Sequence, residues 1–238
     1  MTTLLIDGDI LLYQAASAVE EAIDWGDDLW TLHGDARQAR DLLDTEVQKI
    51  MKRLKGDAVV FAISDPLHNW RYEVLATYKS NRRGRRKPVV YRALREYVMR
   101  QYETATFPTL EADDVLGVLA SDDNIIVSDD KDLMTIPGRL YRPYADEMME
   151  ISPEQADRNH LTQALTGDVV DGYTGCPGIG PKTAAKVLQE GTWDEVVAAY
   201  KKKGLSEEVA LTQARVARIL RCDEWNPITK EVTLWNPT

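Results

Sequence analysis

Three short apolar runs in this chain end in acid, and that pairing limits the folds open to it. Residues 3–6 (TLLI) run into Asp7, residues 58–63 (AVVFAI) into Asp65 two positions on, and residues 125–127 (IIV) into Ser128, Asp129, Asp130 and Asp132. Between them lie stretches with helical spacing. From about 35 to 55, Ala39, Leu43, Val47, Ile50 and Leu54 recur on one face before Gly56 stops the helix. Further helices are expected over about 9–20, from Pro88 to about Gln101, and over about 110–121, with a hairpin or loop at 25–33. Buried strands alternating with helices imply an α/β fold with a mainly parallel central sheet flanked by helices. In such sheets ligands bind beyond the carboxyl ends of the strands, which is where these aspartates stand.

From about Ser152 the pattern changes to short helices punctuated by glycine and proline. A chain of 238 residues can bury one large core or two small ones. The expected division is an α/β core over 1–151 and a helical C-terminal part over 152–238. Neither internal repeats nor low-complexity tracts occur.

The acids are too many for capping. Glu111, Asp113 and Asp114 (EADD) open a helix, and Asp168 and Asp171 (GDVVDG) repeat a three-residue spacing farther on. With Asp7, Asp65, Asp130 and Asp132 they make nine candidates. A single one reads equally well as a helix N-cap or first-turn acid, but one helix needs one cap. Like charges about 4 Å apart repel by roughly 4 kcal/mol at an effective dielectric near 20. Divalent cations offset that repulsion, and a donor set of oxygen without cysteine or histidine selects Mg²⁺ or Mn²⁺. A pair of such ions suits phosphodiester hydrolysis.

The formal net charge of −10 argues against a nucleic-acid partner only on average. Between Arg71 and Arg100 stand Arg71, Lys79, Arg82, Arg83, Arg85, Arg86, Lys87, Arg92, Arg95 and Arg100, opposed only by Glu73 and Glu96. A basic run is often just a solvated face. Here it follows Asp65 directly, as expected of a phosphate backbone drawn in by cations and cut beside metal. Tyr78 is a candidate for stacking on a base. Residues 176–185 (CPGIGPKTAA) read as a tight turn at Gly178 and Gly180 followed by a helix that offers N–H groups, Lys182 and Lys186 to a DNA backbone. The alternative there is an ordinary helix–helix turn.

Other classes are excluded more simply. No apolar run is long enough to span a membrane, and Asp7 and Asp9 break the apolar start where a signal peptide would need continuity. Cys176 and Cys222 form no CxxC and read as reduced thiols, so a cytoplasmic protein is expected. His33, His68 and His160 are scattered, which disfavours a histidine metal site or a Ser-His-Asp triad.

IDGD at 6–9, DPLHNWRYEVLATYKSNR at 65–82, EADD, SDDKDL at 128–133 and LTGDVVDGYTGCPGIGPKTA at 165–184 occur in the order found in the 5′ nuclease (flap endonuclease) family. Over residues 4–188 the chain resembles the phage 5′→3′ exonucleases and the 5′-nuclease domain of bacterial DNA polymerase I. The resemblance implies a PIN/5′-nuclease-like fold, with the nine acids as ligands of two metal ions. It implies Lys79 and Arg82 as catalytic beside Asp7 and Asp130, and Arg71 and Tyr78 as DNA-contacting. The basic segment and its helix, about 79–101, would form an arch for the free 5′ strand. Residues of about 168–190 would form a helix-hairpin-helix-type element whose carbonyls bind K⁺. The implied substrates are DNA with free 5′ ends, flaps or single-strand/duplex junctions, and RNA of RNA–DNA hybrids. The implied setting is replication primer or flap removal, or DNA degradation, in a bacterial or phage-infected cell.

Two departures stand out. Asp65 lies six residues before Arg71 where about seven is expected, and Gly172 follows Asp171 where asparagine is common. Two rivals remain from other classes. A haloacid-dehalogenase-type phosphatase would use Asp7 of DxD as nucleophile, but Leu11 stands where that family places threonine, and the basic run is left unexplained. A DNA-binding accessory protein with an inactive nuclease core is the other.

Overall fold

The computed structural model describes residues 1–82 and 84–237; Arg83, expected to contact DNA, lies outside them. A six-stranded sheet holds β1 (Thr3–Asp7), β4 (Ala58–Ala62), β5 (Glu103–Ala105), β6 (Asn124–Val127), β7 (Gly138–Arg142) and β8 (Glu147–Ile151) in the order β5-β4-β1-β6-β7-β8. All pairings are parallel except β7 with β8. Thr3 lies opposite both Ala58 and Asn124, so the three central strands end level with one another. The chain leaves β1 toward β4 on one side and later enters β6 on the other. The switch point therefore falls between Asp7 and Ser128, where open α/β sheets bind ligands.

Side chains alternate along the strands. Leu4 and Ile6 face α1 (Gly8–Ala18), α2 (Ala36–Leu54) and α4 (Tyr91–Gln101), in a core with Leu12, Leu43, Phe61 and Leu94; α3 (Arg71–Val74) is a single turn between β4 and α4. Leu5 and Ile126 face the other way, toward α5 (Ala112–Leu119), in a core that also takes in Ile219, Leu220 and Trp225 from far along the chain. A third core lies among α6 (Pro153–Thr166), α7 (Pro181–Val187), α8 (Trp193–Lys202) and α9 (Glu207–Ala217), around Leu165, Ala184 and Tyr200. The two remaining strands, β2 (Glu20–Asp24) and β3 (Trp30–Gly34), form the hairpin expected near 25–33. Among the described residues no helix is long and apolar enough to cross a membrane.

Differences from the sequence reading sit at element ends. The fourth helix begins at Tyr91 because 88–90 form a turn closed by Tyr91 N–H on Pro88 O, and the fifth is shorter than 110–121 at both ends. Strands β5, β7 and β8 went unread. β5 has three residues at the sheet edge, and β7 (GRLYR) and β8 (EMMEI) carry the charges of half-exposed strands rather than an apolar run.

Candidate active site

Asp7 ends β1 and caps α1, its Oδ1 accepting the Ile10 N–H at 3.1 Å. Its Oδ2 accepts the Ser128 hydroxyl at 2.8 Å from the end of the neighbouring strand, and Ser128 Oγ in turn accepts Asp130 N–H. Asp130 then accepts Asp132 N–H at 2.8 Å, opening a short 3₁₀ turn over Lys131–Thr135. Three aspartates can follow one strand because they diverge: Asp129 turns away to accept Tyr144 N–H, while Asp130 and Asp132 face the sheet's open end. A cavity of about 340 Å³ lies there, lined by Asp7, Asp9, Glu111, Asp113, Asp130, Asp132, Asp168 and Asp171, with Lys79 and Arg82 at its wall.

The charges in this cavity are unequally balanced. Burial, then Asp9 and Asp130, push Asp7 up to about 7. Burial, then Asp7 and Asp130, push Asp113 well above the carboxylate range, and burial with Asp130 raises Asp132. Glu111 goes the other way. Burial alone would raise it, but Lys79 and Arg71 outweigh that and hold it at about 2. Lys79 Nζ lies 2.6 Å from Glu111 and 3.8 Å from Asp171, while Arg82 reaches Asp171 at 2.7 Å. Lys131 bridges Asp132 at 3.2 Å and Asp168 at 3.5 Å. Among the described residues no three carboxylate, histidine or cysteine side chains are gathered closely enough to ligate one ion. The set still fits hard divalent ions: its donors are all oxygen, and burial with neighbouring carboxylates raises both Asp7 and Asp113, an effect that Lys79 only partly offsets at Asp113.

Four expected residues are placed elsewhere. Asp65 lies in the loop after β4, where its carboxylate accepts Leu67, His68 and Thr109 N–H groups, and it does not line the cavity. Asp114 is wholly buried, and its two oxygens take the Arg71 guanidinium at 2.7 and 2.8 Å, Trp70 Nε1 at 3.0 Å and Leu220 N–H at 3.1 Å. Every lone pair is engaged, so none faces the cavity. Arg71 is 3% exposed and spends its remaining donors on Glu111 and on the carbonyls of Val216 and Arg218, which removes it from DNA contact. Tyr78 is 2% exposed, its hydroxyl donating to Glu111 at 2.8 Å, so no ring face is free to stack on a base.

Other expectations fall on the surface. Arg85, Arg86 and Lys87 are exposed, but Arg86 is paired in two places with Glu20 of β2, and the Lys87 ammonium sits 4.0 Å above the Tyr91 ring. In the hairpin Gly178 adopts φ +76°, and Lys182 and Lys186 are exposed. The helix that follows offers fewer donors than the motif suggests: Pro181 has no N–H, and Thr183 and Ala184 both donate back to Gly180 O. Gly172 adopts φ +77°, packed on Thr77 O and Lys79 N. Asparagine tolerates that left-handed conformation better than most residues, which accounts for the exchange of one for the other at this position.

Sequence reasoning missed Ser128, Lys131 and Gln163. The first two sit inside SDDKDL and were legible as the only hydroxyl and cation of an acidic turn. Gln163, which donates to Asp132 at 2.9 Å, is 31 residues away and gave no local signal.

Residues 2–160 match the sequence family described as the 5′-3′ exonuclease N-terminal, resolvase-like domain. The chain belongs to the 5′-3′ exonuclease family. It is a nuclease of that family, 33% identical to the exonuclease of Escherichia phage T7 over 98% of this chain and 93% of the relative. It is 32% identical to the exodeoxyribonuclease of Enterobacteria phage T3, covering 98% and 92% of the two chains. The fold of this family member is similar to the bacteriophage T5 D15 flap endonuclease, solved as a pseudo-enzyme–product complex with DNA and metal ions. That match has a TM-score of 0.69 and 16% identity over 91% of this chain and 89% of that one.

Proposed function

We propose that this exonuclease hydrolyses DNA phosphodiesters from a 5′ end or at a single-strand/duplex junction, flaps included, using two divalent ions. The observation that carries the proposal is the convergence of eight carboxylates, from four separated chain segments, on one cavity at the switch point beside Lys79 and Arg82. Asp7, Glu111, Asp113 and Asp130 would hold one ion, and Asp132, Asp168 and Asp171 the other. Mg²⁺ is the ion these hard oxygen donors suit best, with Mn²⁺ the substitute. The ions supply an activated water and neutralise charge at the leaving oxygen.

The protein's own part is positional. Lys79, held by Glu111 and Asp171 at the cavity wall, stands ready to exchange a carboxylate for a phosphate oxygen, and Arg82 flanks it. Water oxygen bonds to phosphorus and the P–O3′ bond breaks, leaving a 5′-phosphate on the strand and a 3′-hydroxyl on the released piece. Residues 1–151, completed by Asp168 and Asp171, serve as catalytic core. Residues 152–238 hold duplex through the Gly178–Gly180 turn, Lys182 and Lys186, with K⁺ on the hairpin carbonyls. Arg85, Arg86, Lys87 and Arg83 guide the single strand. RNA of RNA–DNA hybrids is a further substrate, and the setting is primer or flap removal, or DNA degradation, in the cytoplasm of an infected bacterial cell.

Incubating 5′-labelled flap and recessed-end duplexes with Mg²⁺, and in parallel with EDTA, tests this. Release of labelled product only with Mg²⁺ is expected. Binding without cleavage would mean an accessory protein, and hydrolysis of small phosphomonoesters alone a phosphatase.

A further inference from the structure

A second cavity, of about 250 Å³, lies on the other side of Asp7 and shares Asp7 and Ile10 with the catalytic one. It occupies the same switch point, between the ends of β1 and β6, and takes much of its lining from α1 and α2. Its chemistry differs sharply. The walls are aliphatic, including Ile10 and Ile50, while polar groups stand among its lining at Gln14, Glu46 and Asp129. The Tyr144 side chain also lines it and is 96% exposed, its backbone fixed by N–H bonds to the Asp129 carboxylate at 3.0 and 3.3 Å.

We infer that this cavity receives the base of the 5′-terminal nucleotide while that nucleotide's 3′ phosphodiester lies in the carboxylate cavity. The inference rests on the nuclease reading above. Three features select a base over other occupants. The volume is below the roughly 300–1,000 Å³ of sites for drug-sized ligands, so one ring system fits and a base pair does not. Glu46 and Asp129 repel a phosphate but accept hydrogen bonds from ring or exocyclic N–H groups. The exposed Tyr144 ring offers a face on which a base can stack, as every base can. Because the two cavities share Asp7 and Ile10, a base seated in one stands beside a phosphodiester held in the other. The site therefore favours release of mononucleotides from a 5′ end.

The test uses the full chain with deoxyadenosine as probe and inorganic phosphate as competitor, read by ligand-observed NMR. Gln14 and Tyr144 are exposed, so Tyr144→Ala and Gln14→Trp leave folding intact. Deoxyadenosine should bind, about tenfold more weakly to Tyr144→Ala and not measurably to Gln14→Trp, without displacement by phosphate. Product lengths from a 5′-labelled recessed duplex should shift from mononucleotides to longer pieces in both variants. Nucleoside binding unchanged by either variant, or competed by phosphate alone, overturns the inference. Absence of cleavage by the unaltered protein would instead remove the nuclease reading, and nucleoside binding would still decide whether the cavity takes a base.

Discussion

Glu111 and Asp114 stand three residues apart at the start of one helix and have different tasks. Glu111 opens into the cavity; Asp114 is a buried anion clasped by Arg71. Breaking a buried ion pair from one side strands the other charge, at about 3–5 kcal/mol. Asp114→Ala should therefore lower unfolding free energy by that amount in urea titrations. Asp130→Asn keeps the acceptor that caps the 3₁₀ turn, so it should change stability by less than about 0.5 kcal/mol while abolishing turnover and sparing DNA binding. Lys79→Ala should slow single-turnover cleavage by roughly 10²-fold or more, with a far smaller loss in DNA affinity. Equal losses would make Lys79 a docking residue.

At the scale of elements, α6 carries His160 against α9, with the imidazole Nε2 2.8 Å from Ala214 O. Burial, then the nearby Arg218 charge, lowers its pKa to about 3. The unfolded chain protonates this side chain near 6.5 and the folded one does not, so stability is lost as pH falls from about 6.5 toward 3. The slope is at most about 1.4 kcal/mol per pH unit. His160→Gln should flatten the dependence of the unfolding midpoint on pH over that window.

Elements also explain what could be read in advance. Central strands with all-apolar sequence and an acid at the end announce themselves, which made the β1, β4 and β6 layout and most of the cavity acids legible. Asp65, Asp114, Arg71 and Tyr78 do not line the cavity, for another reason. The partners that define the last three include Val216 O, Arg218 O, Leu220 N–H and Asp171, between 93 and 147 residues away, and no local pattern encodes them. Asp65 instead follows the end of β4 after two intervening residues, in a loop whose N–H groups take up its carboxylate.

For the whole molecule, a net charge of −10 coexists with a cationic stretch, so DNA affinity should depend steeply on salt through few residues. Replacing exposed Arg85 and Lys87 by glutamine should reduce the slope of log affinity against log salt by about 0.7 for each single-strand phosphate left without its cation. Filter binding across a salt series measures it. Another consequence follows from Arg71 and Asp114 reaching forward to Val216, Arg218 and Leu220. A nascent chain that has reached only Lys203 already contains every acid of the cavity, yet lacks the backbone that clamps the pair behind Glu111. Synthesis must pass Leu220 before that clamp can close, so chains stopped short of it lack the support behind Glu111.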